Sequence, residues 1–137
     1  MKKIDLHVHT NFSDGIYSPR EVLELAKKSD HDVISITDHD NLDGYRKGKE
    51  IAEEMDIELI PGVEISCLHK GRDVHILAYY MDTENKEITD MLSVIYDNRF
   101  HRANSMIEKL KEQDVTLDHD QIYERAGENN YLGRPHL

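Results

Sequence analysis

The sequence predicts an α/β protein with parallel strands, on the strength of two observations. Short runs of apolar and β-branched residues alternate along the chain with longer segments in which apolar residues recur at helical spacing. Strands separated by helices favour parallel pairing, because each helix returns the chain to the start of the sheet. The 137 residues contain no internal repeat and no Pro/Ser-rich linker, so we expect a single domain over residues 1–137.

The first strand and the first helix have the clearest signals. Ile4–Thr10 (IDLHVHT) alternates apolar residues with an aspartate and two histidines, which places the two sets on opposite faces of a strand. We expect the apolar face to pack against a helix. The following helix should begin after Ser18 as N-cap, with Pro19 at its first position and Glu21 completing a capping box. The face predicted to be buried consists of Val22, Leu25, Ala26 and Ser29.

The middle of the chain repeats this order. Val33–Thr37 (VISIT) is a β-branched run typical of a buried strand, and Asp40 or Asn41 could cap the helix that follows. IELIPGVEIS predicts a third strand interrupted at Pro61-Gly62, and GRDVHILAYY follows so closely that it should form a hairpin with the third. The apolar face of the second helix is predicted at Tyr45, Gly48, Ala52 and Met55.

The last part of the chain is predicted to be helical and then loop-like. Helical spacing of apolar residues extends from about residue 85 to residue 113. A short helix capped by Asp118 should follow through Gln121, with Ile122 and Ala126 facing inward.

Composition narrows the classes of function. With 28 acidic and 17 basic residues the net charge is −11, which argues against a general DNA-binding surface. The single cysteine, Cys67, rules out an intrachain disulfide and fits a reducing compartment. The sequence has no apolar run of membrane-spanning length and no signal-peptide core. We therefore expect a cytoplasmic protein without a membrane partner.

Histidines and a glutamate gather where the predicted strands end. His7 and His9 close the first strand, His39 closes the second, Glu64 lies near the end of the third, and His75 lies in the fourth. The carboxyl ends of parallel strands meet at one edge of a sheet, where α/β proteins build their sites. Imidazole and carboxylate together suit Zn, Mn or Fe in preference to Mg. Taken singly, each residue could instead be a hydrogen-bonded core histidine, a loop residue or a salt-bridged carboxylate.

The remaining histidines have neighbours typical of surface turns and helix faces. We interpret them as structural: His31, His69, His101 and His119.

Five segments, in this order, carry a family resemblance: DLHVHTNFSDG, ITDHDNLDG, IPGVEIS, VHILAYY and GRPHL. They resemble the PHP (polymerase and histidinol phosphatase) family, and most closely its stand-alone bacterial phosphoesterases that act on nucleotides or short oligonucleotides. The resemblance extends over nearly the whole chain. It implies a distorted seven-stranded β/α barrel with two or three divalent metal ions at its mouth.

The resemblance also implies a role for individual residues. Glu64 and Asp14 would serve catalysis, and Arg134 could bind the substrate phosphate bidentately or be a structural surface arginine. Asp38 and Asp40 could orient imidazoles, although helix capping is an equal alternative for Asp40. The implied metal ligands are His7 and His9 for one ion, Asp14 and His39 for a second, Glu64 as a bridge, and His75 and His136 for a third.

One feature of the family is missing. Its members run to about 200 residues or more and place a further Asp-x-His pair near the C-terminus, whereas nothing of this kind follows GRPHL. We therefore expect only the N-terminal part of the barrel, a PHP domain that is incomplete at its C-terminal end. An open sheet would expose strand edges and apolar surface, so self-association is also expected.

The implied function is metal-dependent hydrolysis of a phosphoester by metal-activated water, an activity of the phosphatase or exonuclease type. Its substrate would be a nucleotide phosphate or a short oligonucleotide. Clustered divalent ions suit this reaction, because they lower the pKa of bound water and stabilise charge on the attacking and leaving oxygens. Two alternatives remain open, a phosphatase of the histidinol-phosphate type and a non-catalytic metal-binding or interaction module.

Overall fold

The computed structural model describes residues 1–115, 117–118 and 121–122. It confirms the predicted α/β class and the predicted order of elements. The predicted positions of Ala126, Arg134 and His136 lie outside the described residues. In chain order the elements are β1 (Ile4–Val8), α1 (Pro19–Lys28), β2 (Val33–Ile36), α2 (Asp43–Glu54), β3 (Glu58–Leu59), β4 (Gly62–His69), β5 (Arg72–Tyr79) and α3 (Lys86–Lys111).

The strands form two sheets that meet beside the end of β2. In the first sheet β1, β2 and β3 lie side by side and parallel, as predicted. In the second, β4 and β5 form the expected antiparallel hairpin, which closes at the His69–Arg72 pair. The break at Pro61-Gly62 separates β3 from β4. A single parallel bridge between His39 and Glu64 joins β4 to the segment that follows β2.

Helix α1 begins as its sequence predicts, and Val22 and Ala26 of its predicted face are buried, but Leu25 and Ser29 are not. Ser18 is the N-cap and forms the reciprocal capping box with Glu21. Leu23 is fully buried, whereas Leu25 is 45% exposed, so the prediction that Leu25 lies in the core is wrong. Ser29, also predicted to face inward, is the exposed C-cap.

Strand β1 explains the exposure of Leu25. It lies at the edge of its sheet, and no described strand pairs with its outer side. Leu25 borders an open groove of about 220 Å³ between α1 and β1. Ile4 and Leu6 are 53% and 37% exposed, so the expected packing of the apolar face of β1 against a helix does not hold for these two residues.

Helix α2 begins without a side-chain cap. Neither Asp40 nor Asn41 is its N-cap, since that position belongs to Leu42. Asn41 instead accepts a hydrogen bond from the Asp43 backbone N–H at 2.7 Å, just before the helix. A side chain at Gly44 would collide with the Asp38 carboxylate, so glycine allows the first turn of α2 to approach the end of β2.

The helices enclose separate apolar clusters. Leu23, Ile34, Ile36 and Ala52 belong to the cluster between α1, α2 and the first sheet. Helix α3, capped by Asn85, packs Leu92 against the base of the hairpin and its C-terminal half against Ile122. None of the helices within the described residues is both long and apolar enough to span a membrane.

Each helix is followed by an aspartate with left-handed backbone geometry. The φ angles are 57° at Asp30, 54° at Asp56 and 60° at Asp114. The backbone N–H after each aspartate bonds back into the last turn, as in a Schellman motif, and glycine is the residue usually found there. An acidic side chain at this position also faces the negative end of the helix dipole.

We therefore predict that Asp56→Gly stabilises the protein by about 1 kcal/mol, because glycine accepts positive φ without steric cost. Asp56→Asn, which removes only the charge, should give a smaller gain of about 0.5 kcal/mol. Urea unfolding at pH 7 measures both values. Destabilisation by Asp56→Gly would contradict the assignment of backbone strain to this residue.

Candidate metal centre

Six of the residues predicted to bind metal come together at one mouth of the fold. His7 and His9 come from the end of β1, His39 follows β2, and Glu64 and His75 are diagonal neighbours across the hairpin. Asp14 approaches from the loop after β1. Arg134 and His136 lie outside the described residues, so the structure does not place them.

Glu64 is the hub of this arrangement. Its Oε2 lies 2.8 Å from His7 Nε2 and 2.9 Å from His9 Nε2, while its Oε1 lies 2.8 Å from His75 Nδ1. The residue is only 5% exposed. One buried carboxylate therefore holds three imidazoles, and its two oxygens serve different partners.

The four imidazole rings of the site also lie side by side, each in contact with the next. Ring centroids lie 5.1 Å apart for His7 and His9, 4.8 Å for His9 and His39, and 4.7 Å for His39 and His75. The four rings therefore form one continuous row at the site.

Asp14 completes the other side of the site. One of its oxygens lies 3.0 Å from His9 Nδ1 and the other lies 3.6 Å from His39 Nε2. The hydrogen bond with His9 lowers the pKa of Asp14 to about 2, against the opposing effect of burial. The carboxylate is therefore ionised throughout the neutral range.

The pKa values of the other members follow from burial and from these contacts. Burial acts to raise the pKa of Glu64, but the hydrogen bond with His7 and the charges of the surrounding imidazoles outweigh it, and the net pKa is lowered. Burial lowers the pKa of His39. For His9 burial is outweighed by Asp14 and Glu64, and its pKa is raised.

The donor atoms fall into three overlapping groups, within each of which the atoms lie no more than 4.8 Å apart. Each group combines imidazole nitrogen with carboxylate oxygen, the donor set that suits Zn, Mn or Fe. Glu64 belongs to two groups, as a bridging carboxylate would. The residues present therefore fit a cluster of divalent ions. The groups are His7, His9 and Glu64; His9, Asp14 and His39; and His39, Glu64 and His75.

Asp38 fixes the loop that carries His9 and Asp14. It is 1% exposed, and its carboxylate accepts hydrogen bonds from the Thr10 backbone N–H, the Thr10 hydroxyl and the Ser13 hydroxyl at 2.6–2.7 Å. Burial raises the pKa of Asp38, although these donors favour the ionised form. The hydrogen bonds of Asp38 thus organise a loop, whereas we had expected Asp38 to orient an imidazole. Thr10 and Ser13 were not predicted from the sequence.

Asp40 ties the segment after β2 to β4. Its backbone N–H donates to the Glu64 carbonyl at 2.9 Å, and its Oδ1 accepts from the Ser66 N–H at 2.6 Å. Its Oδ2 lies 3.2 Å from Arg99 Nε on α3. Asp40 therefore links two sheets and a helix, whereas we had expected it to orient an imidazole or cap α2. The pattern of apolar residues around Arg99 predicts a helix but does not indicate that Arg99 contacts Asp40.

Comparison with known proteins agrees with this geometry and confirms the resemblance seen in the sequence. The sequence profile of the PHP domain matches residues 5–131. A 5'-3' exoribonuclease of Haemophilus influenzae is 35% identical over 119 residues, which cover 87% of this chain and 43% of that enzyme. A 3',5'-nucleoside bisphosphate phosphatase of Chromobacterium violaceum is 32% identical across 77% of this chain and 37% of that enzyme.

A solved structure agrees over nearly the whole chain. The crystal structure of a predicted metal-dependent phosphoesterase from Bifidobacterium adolescentis superposes with a TM-score of 0.89 at 34% identity, covering 98% of this chain and 48% of that protein. The chain thus spans less than half the length of each of these three proteins.

The buried Asp38 carboxylate gives a direct stability prediction. Asp38→Ala should destabilise the protein by about 3 kcal/mol, because the Thr10 N–H and two hydroxyls lose their acceptor in a buried site. Ser13→Ala, which removes one donor, should cost only about 1 kcal/mol. Denaturant unfolding compares the two variants, and equal small losses would show that Asp38 does not hold the loop.

The pair of His9 and Asp14 predicts a dependence of stability on pH in metal-free protein. The contribution of Asp14 is present above its unfolded pKa of 3.8 and is lost as pH falls through about 2. The contribution of His9 is present below 6.5 and is lost as pH rises through its raised folded pKa. Both contributions are complete only between about pH 4 and pH 6.5.

Asp14→Asn in EDTA should therefore cost about 1 kcal/mol at pH 5.5 and clearly less at pH 9, after a discount for the partial exposure of both groups. Urea unfolding at the two pH values measures the difference. A loss that is the same at both would mean that the ion pair does not form in solution.

Proposed function

This chain belongs to the PHP domain family, and we propose that it carries out metal-dependent hydrolysis of a phosphoester by metal-activated water. The observation that carries the proposal is Glu64, a buried carboxylate that holds three imidazoles while Asp14 and His39 complete an adjoining group of donors. Such a site combines several positions for divalent ions with an open mouth. The proposed substrate is a nucleotide phosphate or a short oligonucleotide.

The named activities of the relatives support this substrate class. One relative is a 5'-3' exoribonuclease and another a 3',5'-nucleoside bisphosphate phosphatase, so both act on nucleotide phosphoesters. Because the chain spans less than half of each, the activity of the whole enzymes comes to this chain only as a proposal. We extend the proposal to residues 1–137 as part of one PHP domain.

We assign the metal ligands by residue. His7 and His9 would hold one ion, Asp14 and His39 a second, and Glu64 would bridge, since its two oxygens already face different imidazoles. His75 would contribute to a third position together with His136. The rich supply of imidazole nitrogen favours Mn, Zn or Fe in preference to Mg.

The mechanism assigns separate tasks to the protein side chains. When bound, divalent ions at this site would lower the pKa of water and offset the negative charge of the phosphoryl oxygens. Glu64 and Asp14, both held ionised by their histidine partners, fix the imidazoles in place and supply negative charge that retains the cations. Arg134 is proposed to orient the substrate phosphate through its guanidinium.

Two further proposals concern the surroundings of the protein. The outer edge of β1, with the exposed Ile4 and Leu6, offers a surface for self-association. Cys67 is a half-buried free thiol and the only cysteine in the chain, which supports a cytoplasmic location.

Replacement of the hub tests the proposal directly. Glu64→Gln keeps the size of the side chain but removes the charge that two donor groups share, so metal affinity should fall by about 100-fold or more. Elemental analysis for Mn, Fe and Zn after gel filtration measures the loss. Hydrolysis of p-nitrophenyl phosphate and of a 5'-phosphorylated RNA pentamer should fall in parallel.

The exposed Glu53 on α2 provides the matched control, since Glu53→Gln makes the same chemical change away from the mouth. Metal content that is unaffected by Glu64→Gln would refute the ligand assignment. Full metal content in the unaltered chain with no turnover of either substrate would favour a non-catalytic metal-binding module. Faster hydrolysis of histidinol phosphate than of nucleotide substrates would favour a phosphatase of the histidinol-phosphate type.

A further inference from the structure

The β4–β5 hairpin extends out of the mouth and away from the metal centre. β4 runs parallel to β2 at the His39–Glu64 bridge, so the residues after Glu64 continue past the ends of the parallel strands. From Glu64 to His69 the strand advances about 16 Å. Every residue from Leu68 to Ile76 is exposed, which places both faces of the outer hairpin in solvent.

The turn at the tip uses an unusual residue. Only Lys70 and Gly71 lie between the paired residues His69 and Arg72, and both have positive φ, 49° and 75°, as a type I′ turn requires. Asn, Asp or Gly is favoured at the first of these positions, and a lysine there is strained by about 1 kcal/mol. Within the part of the chain that the structure describes, no atom lies within 4 Å of the position that a Gly71 side chain would occupy, so the turn projects from these residues.

The tip concentrates positive charge in an acidic protein. Lys70 and Arg72 make no ion pair with any carboxylate of the described residues, in a chain whose net charge is −11. The one nearby acid, Asp73, is paired with Arg102 of α3 at 3.1 Å. The same turn therefore has a strained backbone at Lys70, projects into solvent and carries two positive side chains without ion-pair partners among the described residues.

We propose that the tip of the β4–β5 hairpin, defined by Lys70 and Arg72, binds phosphate groups of an oligonucleotide substrate that lie beyond the one being hydrolysed. This inference rests on the proposed function, since Glu64 and His75 at the base of the same hairpin form part of the metal centre. A mononucleotide seated at that centre ends short of the tip, whereas a longer strand reaches it. The tip therefore favours oligonucleotides over single nucleotides.

The hairpin also offers surface for bases. Leu68 is 72% exposed and Val74 39% exposed, and they flank the charged tip on either face. Arg72 and Val74 lie on the same face of β5, where the guanidinium plane can stack on an unstacked base of a single strand without reading its sequence. Binding through phosphates should then weaken with salt in proportion to the number of contacts.

The test compares two charge-neutralised pairs. The tip variant is Lys70→Gln with Arg72→Gln, and the matched control is Lys27→Gln with Lys28→Gln at the end of α1, on the opposite side of the fold. Binding of a 3'-labelled oligouridylate of eight nucleotides, with a 5'-thiophosphate and phosphorothioate linkages, to Mn²⁺-loaded protein is followed by fluorescence anisotropy, with uridine 5'-thiophosphate as competitor. Circular dichroism verifies that both variants fold.

The tip variant should lower the ratio of octamer affinity to mononucleotide affinity by about tenfold and reduce the salt slope of octamer binding by about 1, while the control changes neither. Equal effects of the two pairs, no effect of the tip pair, or failure of the unaltered chain to bind the octamer would each overturn the proposal. Because the phosphorothioate ligands resist hydrolysis, this binding result is separate from the hydrolysis assays that test the proposed function.

Discussion

The buried carboxylate of Asp38 is the constraint on which the rest of the site depends. It gathers three donors from Thr10 and Ser13, and in doing so bends the chain after β1 so that His9 and Asp14 face the same mouth. Burial of a charge is costly unless hydrogen bonds compensate, and here every donor comes from the loop that must be shaped. Because the buried Asp38 carboxylate needs these hydrogen bonds, it fixes the loop that positions two candidate ligands, His9 and Asp14.

His39 and Asp40 carry this constraint into the second sheet. His39 pairs with Glu64 through the backbone, and Asp40 fastens β4 through the Ser66 N–H while contacting Arg99 of α3. Three consecutive residues after β2 therefore hold the loop after β1, position the His39 imidazole and fasten the hairpin strand. Glu64 then joins three imidazoles, since its carboxylate oxygens lie 2.8–2.9 Å from a ring nitrogen of each.

Local signals in the sequence predicted the elements well, and tertiary constraints account for what they missed. The capping box at Ser18, the break at Pro61-Gly62 and the hairpin were predictable because each depends on neighbours in the chain. Periodicity misplaced Leu25 because the outer side of β1 lacks a described neighbour, so the groove there stays open. The hydrogen bonds of Asp38 and Asp40 join residues 25 to 28 positions apart, and no local pattern encodes such pairs.

The same reasoning explains how an acidic chain can serve an anionic substrate. A net charge of −11 repels phosphate over most of the surface, so attraction must be local. Glu64 and Asp14 have lowered pKa values at the mouth, and in the proposed function they would retain cations and so convert a negative site into one that accepts phosphate. The hairpin that supplies Glu64 and His75 carries Lys70 and Arg72 at its other end. One supersecondary unit would thus link the proposed metal centre to positive charge further out, and on this proposal the acidity of the remaining surface confines phosphate binding to this path.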